Sequence, residues 1–303
     1  MLHKSVLLDE VLSGLQPPKG GIFVDATIGS AGHALALSKI IGKKGLLIGI
    51  EADPERAQKS LKFLEKGEAK KIVVNKNFRE IKKILDQLKI KEVDGILFDL
   101  GLNSEQLESS GRGFSFQKNE PLLMNFGENP KFTAKDIVND WAEENISQII
   151  WGFGGEKFAR RIAKKIVERR KEKKLETTEE LVKIIQEALP KRQKKGQRGG
   201  SRSGKKIHPA TKTFQALRIA VNEELPALEE GLKDAFEKLR NGGRMAVISF
   251  HQLEDRLVKK YFRKLKEEGL GKILFKKPIT PKIKELRENP RSRSAKLRII
   301  EKI

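Results

Sequence analysis

The chain has 303 residues, of which 63 are Lys or Arg and 41 are Asp or Glu, so its formal net charge is +22 and its pI is about 9.9. With 38% hydrophobic residues it can bury one large core or two modest ones, and it has no apolar run long enough to cross a membrane. The absence of cysteine excludes disulfides, thiolate catalysis and cysteine metal sites, and the N-terminus does not resemble a signal peptide. These features predict a cytoplasmic protein.

The large excess of positive charge predicts a polyanionic partner, either nucleic acid or an acidic membrane surface. The alternative is a highly charged surface of the thermophilic kind, since Lys and Glu are both abundant. Such surfaces balance their charges, and this one does not, which favours nucleic acid.

The first hundred residues alternate between helical and strand-like patterns. The predicted helices cover 6–15, 34–41, 54–66 and 78–88, and the predicted strands cover 22–24, 46–50, 71–74 and 93–100. Such alternation is typical of a doubly wound parallel sheet, which binds ligands at the carboxyl ends of its strands. Asp25, Glu51, Phe78 and Asp99 all lie at or just past such ends.

After residue 107 the alternation stops, and 108–206 shows no convincing strand. Helical periodicity covers 133–141, 146–151, 157–173 and 178–189. The alternation then returns, with helices at 210–225, 226–239 and 253–267, a strand at 244–250 and an antiparallel pair at 272–275 and 295–300. The pattern predicts a sheet domain split into 1–107 and 207–303 by an inserted helical domain, 108–206.

Two basic segments lie in this predicted insertion. Residues 191–206 hold eight basic side chains, four glycines and no acid, so this segment cannot bury a core and is expected to be mobile when free. It could settle onto phosphates or serve as a solvated linker. The second segment is a helix that carries Arg160, Arg161, Lys164, Lys165, Arg169 and Arg170, for which a solvated face is the alternative to phosphate binding.

The stretch from Asp25 to His33 reads as a strand that ends in an acid, a turn with Gly29 and Gly32, and the start of a helix. An acid at the next strand end, Glu51, can accept both hydroxyls of a ribose. A dinucleotide is disfavoured because the G-x-G-x-x-G pattern is missing. S-adenosylmethionine, which has a ribose and no phosphate, fits better, and a plain turn with a surface acid is the alternative.

Seven stretches carry a resemblance to a known family. They are HKSVLLDE (3–10), DATIG (25–29), DGILFDLG (94–101), RGFSFQ (112–117), HPATKTFQALRIAVNEEL (208–225), SFHQLEDR (249–256) and NPRSRSAKLR (289–298). Together they resemble the bacterial small-subunit rRNA cytosine-N(4) methyltransferase family, RsmH or MraW, from about residue 3 to residue 301.

This resemblance implies an α/β fold, namely a class I (Rossmann-like) S-adenosylmethionine methyltransferase sheet with an inserted all-helical domain. The implied reaction is methylation of the exocyclic N(4) amine of a decoding-centre cytosine, position 1402 in the usual 16S numbering. The implied partner is small-subunit rRNA in an assembled or nearly assembled 30S particle, and a homodimer is left open. The alternative is an RNA-binding ribosome assembly factor of the same fold with weak or no methyl transfer.

The resemblance places the cofactor contacts at the glycine turn and at the strand ends. They are Asp25, Gly29, Ala31, Gly32, His33, Glu51, Phe78, Asp99 and Gln106. In this assignment Glu51 holds the ribose hydroxyls, Phe78 offers an apolar face to adenine and Asp99 approaches the methionine half.

The chain also departs from the family pattern. Ser30 and Ala31 stand where the family's turn has glycines, and Leu123 and Asn125 replace an acid and an arginine. If Ala31 adopts a positive φ, it carries a strain of about 1–3 kcal/mol.

For the chemistry, Asp99 and Asn103 are the candidates to hold the cytosine amine, and His251 is the candidate to take its proton. The alternative is that His251 caps a turn or contacts a phosphate. Glu254 and Asp255 open the next helix, where acids facing the helix dipole are common.

The target base is expected to leave its stack and lie against an aromatic ring, for which Phe114, Phe116 and Phe250 are available, with a core role as the alternative. The candidate phosphate contacts are Arg112, Arg218, Arg256, Arg291 and Arg293. With four histidines and no cysteine, no metal site is expected.

Overall fold

The computed structural model describes residues 4–101, 110–127, 130–190, 197–198 and 206–303. Its strands are β1 (Ile22–Asp25), β2 (Leu46–Glu51), β3 (Lys70–Asn75), β4 (Val93–Asp99), β5 (Gln197–Arg198), β6 (Lys206–Ile207), β7 (Leu239–Ser249), β8 (Gly271–Ile273) and β9 (Lys296–Lys302).

The helices of the described residues are α1 (Leu8–Leu15), α2 (Gly32–Ile41), α3 (Pro54–Leu64), α4 (Ile81–Gln87), α5 (Ala134–Asp140), α6 (Glu143–Gly154), α7 (Ala159–Arg170), α8 (Thr178–Ala188), α9 (Thr211–Val221), α10 (Glu224–Lys238), α11 (Gln252–Glu267) and α12 (Ile283–Glu288). Two 3₁₀ turns, Phe78–Glu80 and Pro290–Ser294, complete the regular structure.

The chain divides into two compact units. The sheet unit comprises Met1–Asn103 and Leu225–Ile303, and the helical unit comprises Ser104–Glu224. No helix of the described residues is long and apolar enough to span a membrane.

The sheet unit contains one seven-stranded sheet in the order β3-β2-β1-β4-β7-β9-β8. The five strands from β3 to β7 run parallel, while β9 is antiparallel to both β7 and β8. The predicted α/β class and the closing antiparallel pair are therefore confirmed. Such mixed sheets place helices on both faces, because the crossovers between parallel strands must return over the sheet.

Helices cover both faces of this sheet. On one face, side chains of α1, α2 and α3 pack with Phe23, Leu47 and Leu97. On the other, side chains of α4, α10 and α11 pack with Val24 and Ile48. Since both faces are buried, the central strands are nearly continuous apolar runs, as the sequence indicated.

The pairing of β1 with its two neighbours brings three acids to one edge of the sheet. In β1, Asp25 lies opposite Gly49 of β2 and Leu97 of β4. The two neighbours run two residues further in the same direction and end at Glu51 and Asp99. The carboxyl ends of three adjacent strands therefore each present a carboxylate.

The helical unit is built from α5 to α9. The N-termini of α5 and α8 are fixed by capping boxes, in which Thr133 pairs with Asp136 and Thr177 with Glu180. Its buried core is aliphatic and includes Ile137, Val138, Ile146, Ile150, Ile162, Ile166, Leu181, Ile185 and Leu217.

Two expectations about the insertion differ from the structure. The helical unit extends to Glu224 rather than 206, because α9 packs against α6. The segment expected to lack strands contains the short antiparallel pair β5–β6, in which Gln197 lies opposite Ile207. The first predicted boundary, at 107, and most of the basic segment 191–206 lie outside the described residues.

Candidate functional site

The glycine turn after β1 is tied to the strands on either side. The N–H of Ala26 donates to the carbonyl of Leu97 at 2.8 Å, and the N–H of Ile28 donates to the carbonyl of Ile50 at 3.0 Å. These bonds continue the parallel ladders past the end of β1. The turn is therefore a fixed part of the sheet edge rather than a loose connection.

Two residues of the turn have left-handed backbone conformations. Gly29 has φ +53° and Ala31 has φ +60°. The positive φ considered for Ala31 is confirmed, so the site stores backbone strain of about 1–3 kcal/mol at a non-glycine residue. Gly32 has a different constraint, because a Cβ atom there would lie 2.1 Å from Ser5 Oγ.

Helix α2 begins directly after this turn without a capping side chain. Its N-cap is Ala31, whose side chain makes no cap hydrogen bond, and its first turn contains no acid. The first N–H groups of a helix have no partner within the helix, so they can bind an anion such as a carboxylate.

Asp99 ends β4 with an unsatisfied carboxylate. Its backbone N–H donates to Thr27 Oγ1 at 2.6 Å, which fixes the main chain. Its Oδ1 is buried and has no hydrogen-bond partner in the described part of the chain. Loss of solvation raises the pKa of Asp99 to about 7, and the negative charge of Glu254 acts in the same direction.

His33 faces Asp99 but does not act as its counter-charge. His33 Nε2 lies 2.9 Å from the carbonyl of Val6, which can only accept, so Nε2 carries a proton. Burial lowers the pKa of His33, so the ring is neutral at pH 7 and Nδ1 is a lone pair. That lone pair lies 3.5 Å from Asp99 Oδ2. His33 therefore supplies no positive charge to Asp99.

Asp25 is the second carboxyl with an elevated pKa. Its Oδ1 accepts a hydrogen bond from the N–H of Thr27 at 3.2 Å. Burial raises the pKa of Asp25 to about 7, and the carboxylates of Asp99 and Glu51 add to the effect. Two half-ionised carboxyls at neighbouring strand ends favour a ligand that brings positive charge.

Glu51 differs from these two carboxyls because it has a cation beside it. Its Oε1 accepts from the N–H of Asp53 at 3.1 Å, and its Oε2 lies 3.3 Å from Arg56 Nη2. Burial still raises the pKa of Glu51, while the Arg56 charge opposes the shift. Glu51 is held in a fixed position from which its remaining lone pairs can accept hydroxyl hydrogens.

Helix α3 supports this corner of the site. Asp53 caps the helix, with its side chain accepting from the N–H groups of Glu55 and Arg56. Ser60 Oγ donates to the carbonyl of Gly29. The sequence interpretation missed Thr27, Arg56 and Ser60, although the position of Arg56 three residues after a helix cap was a usable signal.

Phe78 lies past the end of β3, where the chain enters a 3₁₀ turn before α4. Its ring contacts the edge of Phe98 at a centroid distance of 5.6 Å and an interplanar angle of 88°. A Cβ atom at Gly231 would lie 2.8 Å from the Phe78 ring, so the glycine makes room for it. Phe78 is half-buried and supplies an apolar surface, as an adenine ring requires.

After β7, His251 is the N-cap of α11. Its Nδ1 accepts from the N–H of Glu254 at 3.4 Å, and Glu254 Oε2 accepts from the N–H of His251 at 3.2 Å. Its Nε2 lies 2.9 Å from Glu254 Oε1, but this buried atom makes no hydrogen bond in the described part of the chain. The expectation that His251 caps a turn is confirmed at the start of α11, and its role as a general base stays a prediction.

The neighbouring acid, Asp255, has partners of its own. Its carboxylate pairs with Arg298 Nε at 2.7 Å and with Lys296 Nζ at 2.9 Å, both from β9. Asp255 thus ties the start of α11 to the edge of the sheet and plays no part in the site.

The five predicted phosphate contacts fall into two groups. Arg218 makes a two-pronged ion pair with Glu224, at 2.7 and 2.9 Å, and Arg112 Nη1 donates to the carbonyls of Asn125 and Phe126 at 3.2 and 2.7 Å. These two side chains brace the helical unit. The other three are exposed and lie in the sheet unit: Arg256, Arg291 and Arg293.

The three aromatic candidates also separate. Phe114 is buried and stacks on Phe126 at 5.5 Å, as a core residue does. Phe116 is half-buried and stacks on His208 at 4.4 Å with an interplanar angle of 11°. Phe250 lies beside Gly101 of the sheet unit.

Asn103 and Gln106, which were predicted to hold the amine and the cofactor, lie outside the described residues.

The donor set at the strand ends fits S-adenosylmethionine. An uncapped helix N-terminus suits the methionine carboxylate, two carboxyls with raised pKa suit a cationic ligand, Glu51 suits ribose hydroxyls and Phe78 suits adenine. Within the described ranges, Asp99 Oδ1 is buried without a hydrogen-bond partner, and this is the observation that most directly indicates a donor on a ligand.

Comparison with known proteins gives a match along the whole chain. The profile of the MraW methylase family matches residues 1–303. A protein of Ruminiclostridium cellulolyticum named ribosomal RNA small subunit methyltransferase H is 44% identical over 318 residues, which cover 99% of each chain. A protein of the same name from a Sulfurihydrogenibium species is 46% identical over 298 residues, 98% of each chain.

Among solved structures, the chain is similar to an rRNA methylase from Streptococcus thermophilus. The TM-score is 0.42 at 11% identity, over 100% of this chain and 99% of that one.

Proposed function

Because the chain belongs to the MraW methylase family along its whole length, we propose that it methylates the exocyclic N(4) amine of a cytosine in small-subunit rRNA. It is an rRNA methyltransferase that takes its methyl group from S-adenosylmethionine. The observation that carries the proposal is the full-length match to proteins named ribosomal RNA small subunit methyltransferase H. This match favours transfer over the alternative of an assembly factor without activity.

The finer parts of the proposal come from the motif resemblance. We propose that the target is the decoding-centre cytosine at position 1402 and that the substrate is an assembled or nearly assembled 30S particle in the cytoplasm. A homodimer is a further prediction, which sedimentation of the purified protein tests.

The cofactor supplies an electrophilic methyl group on a positively charged sulfur, and the protein must place and polarise it. We propose that Glu51 accepts the ribose hydroxyls and that the N-terminus of α2 holds the methionine carboxylate. Arg56 and the N–H of Asp53 keep Glu51 in place. Asp25, buried behind the turn, stabilises the positive charge once it ionises.

The amine of cytosine is a weak nucleophile, because its lone pair is delocalised into the ring. A carboxylate that accepts one N–H of the amine can turn the lone pair towards the methyl carbon. Asp99 has a buried acceptor atom without a partner at the end of β4. We propose that Asp99 Oδ1 accepts this hydrogen bond, and that Asn103 assists it.

A calorimetric titration with S-adenosylmethionine tests the cofactor half of the proposal. The expected result is binding at one site per chain, weakened at least about tenfold by Glu51→Gln, because an amide NH₂ cannot accept from the ribose. A matched control is Glu55→Gln, which changes an exposed acid on α3, four residues after Glu51, and is expected to leave binding unchanged. Absence of heat with the wild-type protein would contradict the proposal.

A further inference from the structure

Trp151 is the one large hydrophobic side chain of the helical unit that the described residues leave exposed. It has 69% of its surface accessible, although its neighbour Ile150 is fully buried. Large aromatic side chains are rarely left in water, because burying one stabilises a fold substantially. An exposed indole on a well-packed helix therefore needs a reason.

Two glycines follow this indole at the end of α6. Gly152 comes directly after Trp151, Gly155 is the C-cap of the helix, and a Cβ atom at either would meet nothing within 4 Å. No side chain of these two residues restricts the approach of a flat ring to the indole.

The end of α6 is held in place by α9. Gly154 packs so closely that a Cβ atom there would lie 2.5 Å from the carbonyl oxygen of Lys212. Lys212 Nζ donates to the carbonyl of Gly155 at 3.0 Å, and Gln215 Nε2 donates to the carbonyl of Phe153 at 3.4 Å. The platform is therefore rigid before any ligand binds, which lowers the entropy cost of binding.

The residues that follow are cationic. From Trp151 to Lys165 there are five basic residues and one acid, Glu156, which is buried. Lys157, Arg160 and Lys164 are exposed and make no ion pair within the described ranges. Arg161 lies over the ring of Phe158, 6.0 Å from its centroid. Positions 160, 161 and 164 share one face of α7.

A single indole among cations fits single-stranded nucleic acid better than it fits a protein. Nucleic acid binding of this kind combines phosphate attraction with stacking of bases on aromatic rings. A protein partner would need several exposed apolar side chains, and in the described helical unit Trp151 has no other large one beside it.

We propose that Trp151 and the exposed cations of α7 form a stacking platform for an unpaired base of single-stranded RNA. The inference rests on the proposed function, since it assigns part of the RNA substrate to the helical unit. For the exposed cations of this helix, the proposal chooses RNA binding over the alternative of a solvated face, and the experiments below decide between the two.

The chain has two tryptophans, so a Trp141→Phe variant leaves Trp151 as its only indole. This variant is titrated with a mixed-sequence single-stranded RNA of about twelve nucleotides, and saturation is followed by anisotropy of a labelled strand. The expected result is quenching of the tryptophan emission by RNA and none by heparin, a polyanion without bases. Unchanged emission at saturating RNA would overturn the proposal.

A second pair of variants measures what the indole contributes. Trp151→Ala is expected to weaken RNA binding about 5- to 100-fold, as loss of one stacked base does. Trp151→Phe keeps an aromatic face and is expected to stay within about threefold of wild type. Equal affinity of the alanine variant and the wild type would overturn the proposal, as would a change in its sedimentation mass that indicates a protein contact.

Methyl transfer separates this inference from the proposed function. If the wild type methylates small-subunit rRNA, Trp151→Ala is expected to raise the KM for rRNA and leave kcat unchanged. A wild-type KM in that variant overturns the platform while the proposed function stands. If the wild type transfers no methyl group, the proposed function fails, and quenching by RNA still supports the platform.

Discussion

The strand ends of the sheet unit differ in how their polar groups are used. At the ends of β1 and β4, Asp25 is buried, Asp99 is partly buried, and both carboxyls have a raised pKa. Oδ1 of Asp99 is buried without a hydrogen-bond partner in the described residues. After β7, His251 and Glu254 form a capping box with the first N–H groups of α11, although Nε2 of His251 makes no hydrogen bond in the described residues. The same kind of sequence position, a polar residue at a strand end, thus lacks a capping role at Asp99 and is a helix cap at His251.

The comparison shows that a polar residue at a strand end must be judged by the groups it contacts and by its effect on the next helix, and not by residue type alone. A polar group that makes all of its hydrogen bonds contributes to stability. A buried polar group without a hydrogen-bond partner costs free energy unless a ligand supplies the missing hydrogen bond. The predictions below test this contrast.

The largest effect is expected at Asp99. Replacing Asp99 with Asn keeps the shape but removes the carboxylate, so kcat for methyl transfer should fall about 10²- to 10³-fold. Stability should not fall, because an amide is less costly to bury than a carboxylate. Radiolabelled methyl transfer and urea unfolding at pH 8 measure the two quantities. An Asp99→Asn variant with wild-type turnover would remove the distinction between the two strand ends.

A smaller effect is expected at the glycine turn. In Gly32→Ala the new Cβ meets Ser5 Oγ at 2.1 Å, so the variant should lose about 1–3 kcal/mol of unfolding free energy and bind S-adenosylmethionine less tightly. The Gly32→Ala, Ser5→Ala double variant should recover most of both, because Ser5 Cβ is 3.5 Å away. Gly152→Ala, with open space around it, is the control and should not destabilise. If the double variant is no better than Gly32→Ala, the contact with Ser5 is not the constraint.

The raised pKa values also predict a pH dependence of ligand binding. Between pH 6 and 7.5, the affinity for cationic S-adenosylmethionine should rise about five- to tenfold, because Asp25 and Asp99 ionise near pH 7. S-adenosylhomocysteine, which lacks the sulfonium charge, should change less than about threefold. Calorimetry with both ligands at each pH measures the two affinities. If both affinities change with pH by the same factor, the prediction is wrong.

The sign for folding is the opposite. Each carboxyl has a folded pKa above its unfolded value, so the unfolded state ionises first as the pH rises from about 4 to 7. The free energy of unfolding without ligand should therefore decrease across that window, and Asp99→Asn should flatten the curve.

The smallest effect is expected at His251. His251→Ala removes the cap of α11 and should cost about 1 kcal/mol of unfolding free energy, while His251→Asn keeps a capping side chain and should cost less. Methyl transfer by the asparagine variant should stay within about threefold of wild type. If that variant binds S-adenosylmethionine normally but transfers no methyl group, His251 is the base and the contrast between the strand ends is wrong.

Local chemistry made most of the sheet unit predictable. Neighbours in the sequence are enough to predict several features: the apolar run at 46–50, the helix start at Asp53-Pro54 and the acids at strand ends. The left-handed turn at Ala31 could also be anticipated from the residues around it. These features depend on few distant contacts.

Features that depend on tertiary contacts could not be predicted. The apolar stripe of α9 is the same whether it packs on a sheet or on α6, so the sequence could not place that helix in the helical unit. The sequence also could not show that Arg112 and Arg218 are held by internal partners, or that Trp151 faces solvent beside a buried Ile150. Burial, which raises the pKa of Asp25 and Asp99, is likewise a property of the assembled fold.

Nucleoside mass spectrometry of small-subunit rRNA tests the central claim most directly. The purified chain is incubated with S-adenosylmethionine and 30S particles that lack the modification, and the rRNA is then digested. The account predicts N(4)-methylcytidine at one cytosine with the wild-type chain and little or none with Asp99→Asn. Unmethylated cytidine after wild-type treatment, or a methyl group on a different atom or base, would contradict it.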